Sequence, residues 1–183
     1  MSTTNRKNAR LPSRFYIGTG KYLVTVCTAQ RRRSFVSKDL SQAAIEVLRN
    51  VGTDTAFLIH AYCVMPDHVH VLVEGTASNS SLQKFVSRWK QITGFRFRDR
   101  TGVDLWQKGY FDCVLRRSGD VDPVAWYVWM NPVRAGIVHR PEEYSYSGSF
   151  TVPWPVTTRI ANDAWMPPWK RKCECRVRER SIR

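Results

Sequence analysis

The sequence is poor in acidic side chains and has no long apolar run. Its 183 residues include 15 Asp and Glu against 29 Lys and Arg, which gives a formal net charge of +14. So large a surplus favours a polyanionic partner, of which nucleic acid is the commonest. Without about eighteen consecutive apolar residues, we expect no membrane span. The polar start of the chain lacks the apolar segment of a secretory signal, so we expect a cytoplasmic protein.

The sequence also lacks the paired cysteines that hold a structural zinc ion. Its five cysteines are scattered, at Cys27, Cys63, Cys113, Cys173 and Cys175. The last two stand close together but have no second pair to complete a site. The first three lie in apolar, strand-like runs, where a thiol behaves as a small hydrophobic group. We predict that all five are reduced and structural.

Apolar periodicity in the first part of the chain predicts a strand followed by a helix. Residues 21–29 alternate and are rich in β-branched side chains, which is typical of a strand. Apolar side chains then recur at helical spacing from about Asp39 or Ser41. Gly52 is the expected end of that helix, because glycine commonly follows the last helical turn.

Two strands joined by a very short link come next. Residues 56–65 are mostly apolar, and residues 68–74 alternate strictly. Pro66 and Asp67 supply a tight turn between the two runs. Strands joined in this way form an antiparallel hairpin.

The second half of the chain contains two more predicted helices and one strand. Ser80 or Ser81 is suited to cap a helix that carries an apolar stripe. A short strand is expected at 111–115. The last helix has Asp122 as its cap, with a proline in its first turn, and we expect it to end around 131–132.

The element order is therefore β-α-β-β-α-β with one further helix. This order predicts an α+β, ferredoxin-like (RRM-like) fold, in which a four-stranded antiparallel sheet carries its helices on one face. The other face of the sheet would be free to carry a site. We predict a basic arm over residues 1–14, a folded domain over 15–150 and a basic tail over 151–183.

A His-x-His pair at the start of the third predicted strand indicates chemistry. Residues two apart on a strand point to the same face, so His68 and His70 project together while Val69 and Val71 turn towards the core. Two neutral imidazoles side by side supply half of a metal site. The alternative is two half-buried histidines that only pack on the sheet.

The last predicted helix could complete such a site. Tyr127 and Asn131 are four residues apart and so share one helix face. An amide oxygen is a reasonable third ligand for a hard divalent ion, and a tyrosine one turn earlier would lie beside it. The alternatives are a core aromatic for Tyr127 and a simple helix end for Asn131.

Three blocks of sequence together carry a resemblance to a known family. They are 65–73 (MPDHVHVLV), 106–110 (WQKGY) and 127–136 (YVWMNPVRAG). Their order and spacing resemble those of the REP-associated tyrosine transposases, which belong to the HUH single-tyrosine transposases of bacteria. The resemblance covers roughly residues 15–150.

The resemblance implies a role for each matching residue. His68 and His70 correspond to the metal-binding pair of the family, Asn131 to a third polar ligand, and Tyr127 to the nucleophile on an extra C-terminal catalytic helix. The family typically uses Mg²⁺ or Mn²⁺. Its tyrosine forms a covalent 5′-phosphotyrosine intermediate and leaves a free 3′ hydroxyl.

The resemblance also implies a substrate and a reaction. The chain would be a metal-dependent single-stranded DNA endonuclease and strand transferase that cleaves repetitive palindromic hairpin DNA. Such a hairpin carries a short single-stranded tetranucleotide at its foot. Members of the family act as monomers or homodimers, and both states stay open for this chain.

Basic side chains near these blocks are candidates for contacts with the DNA backbone. As a group, they suit electrostatic binding of a nucleic-acid strand. They are Arg31, Arg32, Arg33, Lys84, Arg88, Arg116, Arg117 and Arg134.

Three other functions fit part of the pattern. An RRM-type binding module has the same element order but would place aromatic side chains where His68 and His70 stand. A replication initiator or relaxase carries the same histidine pair, but it usually needs further domains, and the sequence has no phosphate-binding Gly-Lys loop. A catalytically inactive, domesticated hairpin-binding protein is the third alternative, against which the intact His68, His70 and Tyr127 argue.

Overall fold

A computed structural model describes residues 12–115 and 121–153. The described residues form five strands: β1 (Lys21–Cys27), β2 (Phe57–Met65), β3 (His68–Gly75), β4 (Phe111–Leu115) and β5 (Ser147–Gly148). They also form four α-helices: α1 (Lys38–Asp54), α2 (Leu82–Thr101), α3 (Asp122–Trp129) and α4 (Asn131–Arg134). Short 3-10 helices cover Ser13–Tyr16, Ala29–Arg31, Ser34–Val36 and Pro141–Glu143.

The strands form one antiparallel sheet in the order β4-β1-β3-β2-β5. The first four strands have the predicted ferredoxin-like arrangement, so the α+β fold expected from the element order is confirmed. The fifth strand was not predicted. It is two residues long and pairs Gly148 with Tyr62 and Ser147 with Cys63, and so short a strand has no periodicity to detect.

Alternation along the strands gives the sheet two different faces. On one face, Val24, Val26, Val69 and Val71 pack under α1 and α2 in the larger core. The opposite face carries a smaller core around Leu72, which is covered by α3. The predicted free face is therefore partly covered, and α3 lies directly on the sheet surface that carries the histidines.

Helix α1 begins at Lys38, one residue before Asp39, the earlier of the two predicted starts, and ends later than predicted. The Ser37 hydroxyl caps the helix by accepting a hydrogen bond from the Leu40 amide. The prediction that Gly52 ends the helix was wrong, because α1 continues to Asp54. A Cβ atom at Gly52 would lie 2.9 Å from Ile59 Cδ1. This glycine is therefore needed where the helix approaches β2 closely and does not mark a helix end.

Helix α2 packs against α1 through a buried tryptophan. Ser81 caps the helix, as one of the two predicted serines, and Leu82 and Phe85 face the core. The Trp89 indole donates a 3.0 Å hydrogen bond to the Ala44 carbonyl of α1. The helix ends at Gly102, whose φ of +72° favours glycine.

Several predicted features can be compared directly with the structure. Cys27, Cys63 and Cys113 are free thiols, as predicted, and burial raises the pKa of Cys63 to about 12. Over residues 12–115 and 121–153, no helix has the length and apolar character to cross a membrane. Cys173 and Cys175 lie outside the described residues, as do most of the predicted basic arm and nearly all of the predicted basic tail.

Candidate active site

The two histidines lie next to each other on the sheet face below α3. Their Nε2 atoms are 3.1 Å apart, and their rings meet at 87°. His70 is buried, with 4% of its surface exposed, and the His68 side chain is 18% exposed. The predicted side-by-side projection is confirmed, and His68 lies nearer to solvent.

A polar neighbour holds the other nitrogen of each histidine. His68 Nδ1 lies 2.6 Å from Asp67 Oδ1, and His70 Nδ1 lies 2.7 Å from Thr25 Oγ1. The antiparallel pairing of β1 with β3 places Thr25 directly opposite His70. Contacts of this kind fix the orientation of imidazoles that bind metals.

Asp67 links the histidine pair to a nearby arginine. Its second carboxylate oxygen lies 3.3 Å from Arg31 Nη1. Burial acts to raise the pKa of Asp67, but the hydrogen bond to His68 and the positive charges of His68 and Arg31 outweigh it and lower the pKa. Asp67 is therefore an ionised acceptor beside His68 Nδ1, and the His68 ring directs its Nε2 atom at His70.

The donor set fits a divalent metal ion. Neighbouring nitrogen ligands of one ion, each about 2.1 Å from it, stand roughly 3.0 to 3.4 Å apart. The Nε2 atoms of His68 and His70 are 3.1 Å apart. Two lone pairs at this distance repel each other unless a proton or a cation lies between them. The described residues hold no group of three or more His, Cys, Asp or Glu side chains suited to a metal, so further ligands would be amide oxygens, water or substrate.

Helix α3 brings Tyr127 to the histidines. The ring centroids of Tyr127 and His70 are 6.0 Å apart, with the planes at 74°. Val124 and Val128 of the same helix are buried in the core beneath it, which fixes α3 against β2 and β3. The sequence-predicted neighbours His68, His70 and Tyr127 are thus brought together. Tyr127 is 3% exposed, so it is also a core aromatic.

Asn131 and Arg134 both bind the backbone of Tyr127. The amide nitrogen of Asn131 donates to the carbonyls of Tyr127 and Val128, at 2.8 and 3.0 Å. The guanidinium of Arg134 donates to the same Tyr127 carbonyl. Its central carbon also lies 4.5 Å from the centroid of the Tyr127 ring, in a cation–π contact. The side-chain nitrogen of Asn131 is therefore hydrogen-bonded to the helix backbone. Metal binding by Asn131 stays a prediction and would depend on its side-chain oxygen.

The other predicted DNA-binding residues lie in two separate places. Arg31, Arg32 and Arg33 follow β1 at the end of the sheet that carries His68. Arg31 pairs with Asp67, and Arg32 donates to the Asp104 carbonyl at 2.8 Å. Arg33 is exposed.

Lys84 and Arg88 lie on α2, in the helical layer behind the sheet. Both are exposed, and Arg88 forms a 3.2 Å ion pair with Asp54 of α1. The structure does not bring these two residues to the histidine pair. Arg116 and Arg117 lie outside the described residues.

Two residues of the site were missed from the sequence. Asp67 directly precedes His68, so its position in the chain was an available signal. Thr25 lies 45 residues before His70 and becomes its neighbour only through the register of β1 with β3. Apolar alternation predicts the strands but does not give that register.

Comparisons with known proteins identify the family. The family model described as "Transposase IS200 like" matches residues 19–130, a segment that contains both histidines and Tyr127. The chain belongs to the IS200-like transposase family. It is also similar to the REP-associated tyrosine transposase of Escherichia coli (strain K12), with 30% identity over 138 residues that cover 73% of this chain and 79% of the relative. The resemblance drawn from the three sequence blocks is therefore confirmed.

A solved structure shares the fold of this transposase. It is a REP-associated tyrosine transposase bound to a REP hairpin, and it superposes with a TM-score of 0.61 at 23% identity. The match covers 80% of this chain and 82% of the other. Transposases cleave and rejoin DNA, so membership of the family confirms that the predicted enzyme is a transposase.

Proposed function

We propose that this transposase is a metal-dependent single-stranded DNA endonuclease and strand transferase with Tyr127 as its nucleophile. One observation carries the proposal. The Nε2 atoms of His68 and His70 converge to 3.1 Å, and the ring of Tyr127 stands 6.0 Å from that of His70. A pair of potential metal ligands beside a tyrosine suits metal-assisted phosphoryl transfer to a phenol oxygen.

His68 and His70 would hold the ion, with Asn131 Oδ1 as a proposed third ligand. When bound, Mg²⁺ or Mn²⁺ would neutralise charge on the scissile phosphate. Imidazole ligands favour Mn²⁺ over Mg²⁺ in intrinsic affinity. Asp67 and Thr25 keep both imidazoles oriented with their Nε2 atoms towards the same point.

Tyr127 would carry out the covalent step. Its phenol oxygen attacks the phosphorus, the bond from phosphorus to the 3′ oxygen breaks, and a 5′-phosphotyrosine and a free 3′ hydroxyl result. The phosphodiester energy is kept in the new bond. The 3′ hydroxyl of another strand can therefore reverse the step, which gives strand transfer without a nucleotide cofactor.

Arg134 and Asn131 would set the position of this nucleophile. Both donate to the Tyr127 carbonyl, and the Arg134 guanidinium also lies over the phenol ring. The two contacts fix the helix end that carries Tyr127. The positive charge over the ring would also favour negative charge that develops on the phenol oxygen.

We propose palindromic repeat DNA, folded into a hairpin with a single-stranded foot, as the substrate. The net charge of +14 suits a polyanion, and the related solved protein is bound to a REP hairpin. Arg31 to Arg33 lie at the His68 end of the sheet, where a backbone that reaches the histidines would pass. They are the described residues best placed to hold it, and either a monomer or a homodimer could do so.

A covalent adduct on a denaturing gel tests the proposal. The protein is mixed with Mn²⁺ and labelled single-stranded hairpins from its host genome, and Tyr127→Phe is compared with Tyr22→Phe. Tyr22 is a matched control, since its hydroxyl bonds the Phe15 carbonyl and its ring is buried under the helical layer. We expect an adduct in the wild type and in Tyr22→Phe, and none in Tyr127→Phe.

Two other results would contradict the proposal. An adduct that survives in Tyr127→Phe would move the nucleophile to another residue, with Tyr110 next in line. Tight hairpin binding without adduct or cleavage, across several metals and hairpins, would make the chain a domesticated binding protein.

A further inference from the structure

A groove of about 660 Å³ lies between α2 and the loop 104–110 that leads into β4. It is separate from the histidine pair and Tyr127. Its lining combines aromatic rings with basic side chains. They are Phe95, Trp106, Tyr110, Lys90, Arg98 and Lys108.

Specific contacts hold the wall of the groove in place. The Lys90 ammonium donates to the carbonyls of Gln107 and Gly109, at 2.9 and 2.8 Å. The Trp106 indole donates to Thr93 Oγ1 at 2.9 Å, and its ring lies 4.9 Å from that of Trp89 in the core. The groove is therefore preformed, which lowers the ordering cost of binding a ligand there.

Phe95 is the feature that the fold itself does not explain. Its surface is 73% exposed, the largest value among the exposed large apolar residues that the structure describes. It occupies α2 next to Gly94, whose missing side chain leaves space in front of Trp106. The lining includes three basic side chains and one carboxylate, Asp104, which pairs with Arg98. An exposed ring among cations provides stacking and phosphate contacts together.

The groove opens at the same end of the sheet as the histidine pair. The Thr28 backbone forms a bridge with Trp106 and also donates to the Asp67 carbonyl at 3.0 Å. The next amide, of Ala29, donates to the Leu105 carbonyl at 2.8 Å. Asp67 in turn contacts His68. The loop that forms one wall of the groove is therefore attached to the turn that precedes His68.

We propose that this groove binds unpaired nucleotides of single-stranded DNA, with a base stacked on Phe95 and the adjoining phosphates near Lys108 and Arg98. The inference rests on the proposed function, because it assigns part of the same strand to a second site. A nucleotide has a base with an apolar face and a charged phosphate, and this lining offers aromatic rings to the first and cations to the second. Duplex DNA has no exposed base face, so the groove would favour single strands.

Binding measurements test the groove without any need for cleavage. Fluorescence anisotropy would compare oligothymidine of about 15 nucleotides with a blunt duplex of equal length. We expect Phe95→Ala to weaken the oligothymidine complex at least about fivefold, the usual scale for loss of one stacked base. The duplex complex should change less than about twofold. Phe15→Ala is the matched control, since Phe15 is an exposed ring 43% accessible, near Tyr22 and Leu115 at the other end of the sheet.

A second measurement does not depend on any variant. Oligothymidine that carries one 5-iododeoxyuridine would be irradiated with the wild-type protein, and the crosslinked peptide would be identified by mass spectrometry. We expect crosslinks at Phe95 or Trp106. Crosslinks only elsewhere would overturn the proposal. Unchanged oligothymidine affinity in Phe95→Ala would also overturn the proposal. This includes a result in which the substitution changes only the self-association of the protein.

Failure of the proposed DNA binding in the groove can be distinguished from failure of the proposed enzyme function. Covalent adduct formation would be measured on the same preparations at saturating hairpin DNA. An adduct in the wild type, with Phe95→Ala equal to wild type in oligothymidine binding, would reject the groove alone. Loss of oligothymidine binding in Phe95→Ala, without any adduct in the wild type, would reject the enzyme and keep the groove.

Discussion

The two faces of the sheet come from the same strands but carry different side chains and have different roles. Under α1 and α2, the strands present apolar side chains such as Val24, Val69 and Val71. At the adjacent positions of the same strands, Thr25, His68 and His70 point to the other face, below α3. The difference shows that strand alternation confines the chemistry to one face. The apolar face supplies burial alone, whereas the polar face, so named for these three side chains, combines the smaller core around Leu72 with hydrogen bonds.

The largest expected effect falls on the polar face. We predict that His70→Ala lowers the rate of covalent adduct formation by about 1,000-fold, because the metal and the charge compensation it brings are lost. Single-turnover assays at several Mn²⁺ concentrations would measure it. Far-ultraviolet circular dichroism would check that the variant is folded. A rate within about tenfold of wild type would show that His70 is not needed for the reaction.

The neighbouring substitution on the apolar face should have the opposite outcome. Val71→Ala removes buried methyl groups next to His70, and we expect it to reduce the free energy of unfolding by about 2 kcal/mol. Adduct formation at low temperature should stay close to the wild-type rate. Urea unfolding and the same gel assay would give both values. A Val71→Ala variant that is stable but inactive would break the separation between the two faces.

Asn131→Asp distinguishes two roles for one side chain. A carboxylate keeps an oxygen ligand but removes the amide donor to the Tyr127 and Val128 carbonyls. We expect metal affinity to be kept or raised, while the adduct rate falls by about 30-fold as Tyr127 loses a support. Calorimetric titration with Mn²⁺ and single-turnover kinetics would measure the two effects. A loss of metal affinity in Asn131→Asp would contradict the ligand role.

Thr25→Val should have a smaller effect on the same face. It removes the hydroxyl 2.7 Å from His70 Nδ1 and keeps the shape of the side chain. Loss of such a support to a metal ligand costs about tenfold in metal affinity. Thr28→Val is unsuitable as a control because its hydroxyl holds the Asp67 carbonyl. Thr101→Val, on the surface at the end of α2, should leave Mn²⁺ affinity unchanged.

The smallest effect is expected from the helical layer. Arg33 lies at the His68 end of the sheet, whereas Arg88 lies behind it and pairs with Asp54. We predict that Arg33→Ala reduces the salt dependence of hairpin binding by about one phosphate contact. Arg88→Ala should change affinity by less than about twofold. Equal losses in both variants would show that hairpin DNA also contacts the surface beside the Arg88–Asp54 ion pair, which lies outside the groove lining.

The sequence predicted those parts of the molecule that depend on local periodicity. Alternation in β3 determined that His68 and His70 share a face, and the short Pro66-Asp67 link determined the hairpin. Helical spacing put Tyr127 and Asn131 on one face and made them candidates for the same site. The family resemblance supported their approach to the histidines, which is a tertiary contact that periodicity alone does not give. The helix end at Gly52 was predicted wrongly, because the signal for a helix end and the signal for a close approach to β2 are the same residue.

The parts that could not be predicted depend on register and on contacts between distant segments. Thr25 meets His70 only through strand pairing, and β5 is too short to have a pattern. Arg134 looked like a surface cation suited to phosphate. The turn from α3 to α4 brings its guanidinium back over Tyr127, seven residues earlier in the chain. Helical spacing beyond one turn does not give that geometry.

The central claim is that His68, His70 and Tyr127 form one reaction centre. The most direct test is to trap the adduct with hairpin DNA in Mn²⁺, digest the protein and the DNA, and locate the remaining nucleotide by mass spectrometry. We predict that the nucleotide is attached through its 5′ phosphate to Tyr127. We also predict that it disappears when a chelator removes the metal or when both histidines are replaced by alanine. A nucleotide on another residue, or one that forms equally well without metal, would contradict the account.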